Sequence, residues 1–430
     1  MKLPKFIGEN LLLKMTSLNA VVVGIRLIIS LFIQRLLAEL VGEAGIAKIG
    51  QLRNVMAMLM SISTLGVFNG IVKYVSEFRE DKKELQKLFS TTFVFVLFGT
   101  FLAAVLLFFG ASLFSNWIFG NNNFVFLFKI LSVVVPCISV HRVFNGVVNG
   151  LSAYKKFVKI ELFGYLLASS LLVYCLYNYD LKGVLIAIAV TPVIQLGILV
   201  YIFGSVLKEY LHFKEISFKI PYAKQLLAFT LMSIVSTILL NYIEIDIRNM
   251  IKNKITENDS GYWTAMTNIS KNYMVFSGSL FTLYVIPRFS NITSGKIFKK
   301  EVFHIYKTLL PIFGLGMIVI YIFRDYVIDL VYPNFLGMEP LFKWQLLGDF
   351  VRLGSLVIAH QFLAKKMVRS FIFTEFLSIA LFYVLSKYFI VDYGAEGVVM
   401  AHFIRYIIYF IVVLFLLWRY FKKQKIIIEN

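Results

Sequence analysis

Seven cations interrupt apolar stretches of this chain: Arg26, Arg53, Arg142, Arg248, Lys271, Arg352 and Arg405. Glu244, Asp246, Asp349 and Glu375 are the acids in comparable positions. An ionisable side chain at the centre of a bilayer costs roughly 2.5–3.5 kcal/mol on insertion scales, so it turns towards a protein interior or a wet cavity. Pairing with the acids explains single cations as fasteners between helices. It does not explain the set, because the cations are in excess. Positive charge left over in a low-dielectric cavity calls for an anion, and the planar donor fork of arginine suits phosphate. A phosphorylated substrate is therefore expected. Arg26, Arg53, Arg142, Arg248 and Lys271 are the candidates for binding it. Arg26 is about 15–20 Å from either end of its apolar run at ~1.5 Å per residue, too deep to reach water alone. Arg35, Lys73 and Arg288 lie nearer the interfaces, where snorkelling explains them as well as function does.

One stretch carries both signs. In "FKWQLLGDFVRLGS", residues 342–355, Asp349 and Arg352 are three apart and share a helix face. Two roles fit the pair: a static brace, or a switch that couples opening to substrate or protons. Glu244 and Asp246 join Asp349 and Arg352 as coupling or gating candidates. No cofactor is expected, and the coupling ion, H+ or Na+, is left open.

Other chemistry has little to stand on. No GxxxxGK[ST] loop is present, so ATP hydrolysis within the chain is not expected. No nucleophile elbow occurs, and His141, His212, His304, His360 and His402 show no zinc-type spacing. Cys137 and Cys175 fall inside apolar runs without paired spacing and read as buried bystanders.

The elements that must position these charges are membrane helices. The chain is 59% hydrophobic and 16% charged, far from the roughly 45–50% and 25% of soluble domains. Twelve spans are expected, at about 11–36, 46–72, 89–112, 124–150, 156–177, 183–205, 225–251, 261–286, 302–323, 341–363, 369–388 and 396–419. The first run lacks a small-residue cleavage site and reads as a span, not a signal peptide. The net charge of +19 suggests nucleic acid only until its placement is considered. Basic residues gather in alternate short loops such as "EFREDKKELQK", "SAYKKFVK" and "RFSNITSGKIFKK", whereas "AELVGEAG", "FGNNN", "YNYDLKG" and "VDYGAEG" have few. Lys and Arg in short loops mark the cytoplasmic side, so both termini are expected inside, with lipid and not nucleic acid as the partner of the charge.

The connection near 206–224 joins two sets of six spans that run in the same sense. The expected organisation is an N-terminal lobe at 1–210, a cytoplasmic linker at 211–224 and a C-terminal lobe at 225–430. Weak internal similarity points to duplication: Glu161 and Glu375 are 214 residues apart, Arg35 and Arg248 213, Lys73 and Arg288 215.

Motifs within these spans resemble a known family. "GVFNGIVKYVSEF", "LYVIPRFS" and "FKWQLLGDFVRLGS" followed by "AKKMVRSFIFTEF" are similar to segments of the Wzx-type flippases, over nearly the whole chain and most closely in the lipid III branch. The patterns "WQLxGD" and "FNGxxKYV" are the specific ones. The resemblance implies the multidrug/oligosaccharidyl-lipid/polysaccharide exporter fold, all-α, with two six-helix lobes around a central cavity. It implies a transporter and not an enzyme, one that flips an undecaprenyl-pyrophosphate-linked oligosaccharide, either an O-antigen unit of lipopolysaccharide or lipid III. It also implies a polysaccharide polymerase and a chain-length regulator as candidate partners. Arg26, Arg35, Arg53, Lys73 and Arg248 match basic positions of the family, and Asp349 matches the acid of "WQLxGD". Lys271 departs, since "NISKNY" stands where the family's "SISDAY" carries an acid. The alternatives are a cation-coupled drug exporter of the same superfamily, against which a cation-rich cavity argues, and a membrane glycan polymerase or ligase, which usually carries a large periplasmic loop absent here.

Overall fold

The computed structural model describes residues 11–211, 215–290, 292, 294–365 and 367–429; His212 lies outside them. Among the described residues the regular structure is helical, without strands. In chain order the helices are α1 (Leu11–Ile62), α2 (Phe68–Glu77), α3 (Lys82–Phe109), α4 (Ala111–Phe119), α5 (Val125–Gly150), α6 (Tyr154–Tyr210) and α7 (Ala223–Ser233). Then follow α8 (Leu240–Lys254), α9 (Glu257–Leu280), α10 (Ile286–Ser290), α11 (Gly295–Ile322), α12 (Arg324–Val331), α13 (Leu341–Ala364) and α14 (Val368–Glu429). Short polar caps start several of them. Asp81 accepts from the amides of Lys83 and Glu84 at the head of α3, and Thr256 accepts from the amide of Asp259 at the head of α9.

Among the described residues seven helical runs are long and apolar enough to cross a membrane. Two of these, Lys155–Tyr210 and Val368–Lys423, hold 56 residues each. At ~1.5 Å per residue such a run measures about 84 Å against a ~30 Å hydrocarbon core, enough for two crossings. The bends that divide the longest helices fall where the sequence places connections: Gly42 (φ 62°) in α1, Tyr179–Asp180 (φ 49° at Asp180) in α6 and Gly394 (φ 57°) in α14. Large apolar side chains face outwards, with Phe109 81% and Leu113 76% exposed. Hydrocarbon, not water, is the solvent that suits them. The chain is thus a multi-pass all-α membrane protein.

Two expectations are corrected. The span at 46–72 is broken: α1 ends at Ile62, Leu65 (φ 47°) and Gly66 (φ 68°) turn the chain, and α2 resumes at Phe68. The apolar run continues through the turn, which hides it. Thr64 Oγ1 donates to the Met60 carbonyl at 2.8 Å and the Gly66 amide to the Ser61 carbonyl at 2.7 Å, so the freed backbone groups are met locally. The two cysteines are free but half-buried, not buried.

The described residues fall into two compact units. One runs up to Val41 and from Lys48 to Tyr242; the other comprises Gly42–Ala47 and the chain from Ile243 onward. The border lies beyond the 211–224 connection because α7 packs on α2. Gly70 lets Leu226 and Phe229 approach closely, and the Tyr222 ring lies 5.7 Å from that of Tyr74. The bend of α6 recurs in α14. Asp180 and Gly394 are 214 residues apart, as are Gly183 and Gly397, and a Cβ on either of these glycines would strike a carbonyl oxygen, of Cys175 and Phe389 respectively. Those carbonyls are also 214 apart. The offset seen in Glu161 and Glu375 therefore has a geometric counterpart.

Candidate functional site

The second unit holds a buried polar cluster around Asp349. This acid, 0% exposed, sits mid-way along α13, in a mainly apolar stretch that also carries Lys343 and Gln345. Its Oδ2 accepts from Ser270 Oγ at 2.5 Å, Tyr273 Oη at 2.5 Å and Gln345 Nε2 at 3.1 Å; its Oδ1 lies 3.1 Å from His402 Nε2. Ser270 and Tyr273 come from α9, three apart on one face, and His402 comes from the second half of α14. Gly348 makes this approach possible, since a Cβ there would collide with the His402 ring. Arg352, the partner expected from sequence, is farther off at 3.9 Å.

The cluster extends along α14. Arg405 places a guanidinium nitrogen 3.1 Å from His402 Nδ1 and stacks over Phe382 at 4.0 Å and Tyr406 at 4.6 Å. A guanidinium only donates, so Nδ1 accepts and the imidazole proton resides on Nε2, aimed at Asp349. His402 is therefore neutral in this arrangement. Glu375 accepts from Tyr409 Oη at 3.2 Å. With a neutral imidazole, the carboxylates Asp349 and Glu375 balance the guanidiniums Arg352 and Arg405. The Nε groups of both arginines are buried without a hydrogen-bond partner. A proton added to His402 would put a donor opposite a donor and leave one charge in excess.

The remaining predicted residues lie in several places. In the second unit Lys271 is 3.7 Å from Glu244. Arg248 is 1% exposed, donates to Thr264 Oγ1 at 2.9 Å and to the Glu244 carbonyl at 3.1 Å, and lies over the Trp263 ring. Asp246 is half-buried on another face of the same helix. Arg288 pairs with Glu301 at 3.2 Å. In the first unit Arg26 pairs with Glu161 at 2.7 Å and lies over Tyr165. Arg35 pairs with Glu39 at 2.9 Å, Arg142 lies 3.6 Å over Phe68, Lys73 lies 4.4 Å over Tyr74, and Arg53 lines a cavity. Asp349 and Arg352 are thus brought together with His402, Arg405, Ser270 and Tyr273. Arg405 is among the seven cations read from the sequence; for His402 the one signal is its place three residues before Arg405 in "AHFIRYIIY", inside an apolar run.

Comparison with known proteins places this architecture. The profile of the polysaccharide biosynthesis protein family matches residues 12–293. The chain belongs to that family. It is 28% identical over 397 residues to the lipid III flippases of Escherichia coli (strain K12) and Shigella flexneri, covering 90% of this chain and 94% of theirs. These relatives are named as transporters, not enzymes. Among solved structures it resembles an inward-facing multidrug resistance MATE transporter of the MOP superfamily (TM-score 0.68, 15% identity, 93% of this chain and 95% of that one). The lipid II flippase MurJ in an inward closed conformation is alike too (TM-score 0.67, 16% identity, 93% and 87%). The fold is that of the MOP transporters.

Proposed function

We propose that this chain is a flippase for an undecaprenyl-pyrophosphate-linked oligosaccharide of the lipid III class. It would carry the lipid by alternating access from the cytoplasmic to the periplasmic leaflet of a bacterial inner membrane, with both termini in the cytoplasm. The observation that carries this reading is the near full-length match to lipid III flippases. The likeness to drug-exporting MATE transporters extends to the fold at 15% identity, and supports that alternative less well.

Arg26, Arg53, Arg142 and Lys271 remain the proposed contacts to the pyrophosphate and glycan. Arg248 has a different role in this reading. Its donors already face Thr264 and the Glu244 carbonyl, so it ties α8 to α9. The Asp349–His402–Arg405 cluster is the proposed coupling device. Four donors surround the Asp349 carboxylate, which leaves a metal ion little access unless Ser270 and Tyr273 withdraw. A proton fits better. Taken up at His402, it strengthens the link from α13 to α14 and repels Arg405. A proton shifts the transport equilibrium only if the inward-open and outward-open states bind it with different affinity. Complementation of a flippase-deficient strain tests the substrate: restored lipid III-dependent glycan supports the reading, and failure of a correctly inserted protein contradicts it.

A further inference from the structure

The first unit contains a cavity of about 260 Å³, lined from the two halves of α1 and the two halves of α6. Ser30, Gln34, Arg53, Tyr165, Ser169, Thr191 and Gln195 supply its polar groups. The 214-residue repeat shows why there is space here. Phe382, Arg405, Tyr406 and Tyr409 of the second unit stand at the repeat positions of Ala168, Thr191, Pro192 and Gln195. Each exchange removes a ring or a guanidinium. The glutamate pair Glu161 and Glu375 and the recurring bend bracket Ala168 and Phe382, and the glycine pair Gly183 and Gly397 carries the same offset past the bend towards the other three positions. The smaller side chains at these four positions leave the space.

The lining is polar in a way that packing does not require. Gln34 donates to Ser30 at 2.7 Å and is held in place. Thr191 donates to the Ala187 carbonyl at 2.8 Å and keeps lone pairs to accept. Among the described residues no hydrogen bond engages the side chain of Ser169 or Gln195. Pro192 lacks an amide hydrogen, so the Ile188 carbonyl on the same wall has no helical donor. At membrane depth each unmet polar group costs several kcal/mol, which water or a ligand must offset. Neutral amides and hydroxyls that both donate and accept match the hydroxyls of a sugar, and the Tyr165 side chain on the same wall offers apolar area to its C–H groups. Arg53 is the one cation on this wall among the described residues. The space lies just below the roughly 300–1,000 Å³ of ordinary ligand pockets, which suits one sugar and not an oligosaccharide.

We infer that this cavity seats a single sugar of the transported glycan, held by Gln34, Ser169, Thr191 and Gln195, and that it selects which glycan is carried. The inference rests on the flippase reading and deepens it. Arg53 on the same wall would place the pyrophosphate beside that sugar. The test compares binding of undecaprenyl pyrophosphate and of lipid III to the purified full chain in detergent. The wild type is expected to prefer lipid III by about tenfold or more, the scale of one or two net hydrogen bonds. Ala168→Phe, which installs the second unit's residue, and Gln195→Leu, which keeps the volume, should each reduce that preference to below about twofold while binding of undecaprenyl pyrophosphate stays within about twofold. An unchanged preference in both folded variants overturns the sugar site and leaves the flippase reading standing. No binding of either lipid by the wild type overturns both.

Discussion

His402 Nε2 lies 3.1 Å from the Asp349 carboxylate on α13, while its Nδ1 lies 3.1 Å from the Arg405 guanidinium one turn further along α14. The imidazole thus has one arrangement of protons that satisfies both neighbours. Protonation satisfies the acid and opposes the base. In the proposed coupling role that asymmetry lets the ring bias the packing of α13 against α14, with Arg352, Glu375, Tyr273 and Tyr406 as the other ionisable groups around it.

Replacing His402 by Gln separates the neutral form from the titrating one. A glutamine amide can donate to Asp349 and accept from Arg405, but it takes up no proton in the working range. We expect His402→Gln to insert and fold normally, yet to lose the response of flipping to an imposed proton gradient. Transport in vesicles with and without the gradient checks this, and a preserved response would remove His402 from coupling.

Asp349 and Arg352 should differ in their effect on stability. Removing the acid by Asp349→Ala leaves buried guanidiniums unbalanced, a loss on the order of 3–5 kcal/mol. Arg352→Gln removes a partner 3.9 Å away whose side chain is 33% exposed, while the four donors on Asp349 remain, and should cost less, about 1–3 kcal/mol. Thermal unfolding in detergent reads both. The double variant Asp349→Asn with Arg352→Gln should fold and stay inactive, whereas recovery of gradient-driven flipping would reduce the pair to a brace.

The bends were legible in the sequence because glycine and aspartate advertise them, and the long apolar runs announced the membrane. Asp349 also stood out, as an acid has few reasons to enter such a run. Its partners did not. Ser270 and Tyr273 precede it by 79 and 76 residues and His402 follows by 53, and small hydroxyls or a lone histidine are tolerated on many membrane helices. Which of them meet depends on helix rotation, which apolar patterning leaves loose when both faces are greasy. The excess of cations was overstated for the same reason. Glu161, beside the basic "SAYKKFVK", reads as interfacial until the fold brings it to Arg26, 135 residues away.

Asp180 pays a conformational cost that Gly394, its repeat counterpart, avoids. A non-glycine residue at positive φ is disfavoured by roughly 1–2 kcal/mol. Asp180→Gly should therefore stabilise the first unit or leave it unchanged, and Gly394→Ala should destabilise the second by about 1–3 kcal/mol. The melting temperature should fall for Gly394→Ala and not for Asp180→Gly; a fall in both would mean that the bends are not equivalent.

The topology has a direct readout. In a background without Cys137 and Cys175, cysteines at Asn122, Asp259 and Asp392 should react with an impermeant thiol reagent from outside intact cells. Cysteines at Lys83, Lys155 and Lys299 should react only after permeabilisation. A reversed result at any interior pair of loops would break the proposed orientation.

The decisive measurement is lipid III translocation by the purified protein in sealed vesicles, followed as sugar accessibility at the outer face. We expect the wild type to raise the rate well above that of protein-free vesicles, in response to a proton gradient, and Arg53→Ala to abolish the increase while the protein stays folded. Vesicles that show no translocation of lipid III, yet export an organic cation against its gradient, would contradict the flippase assignment.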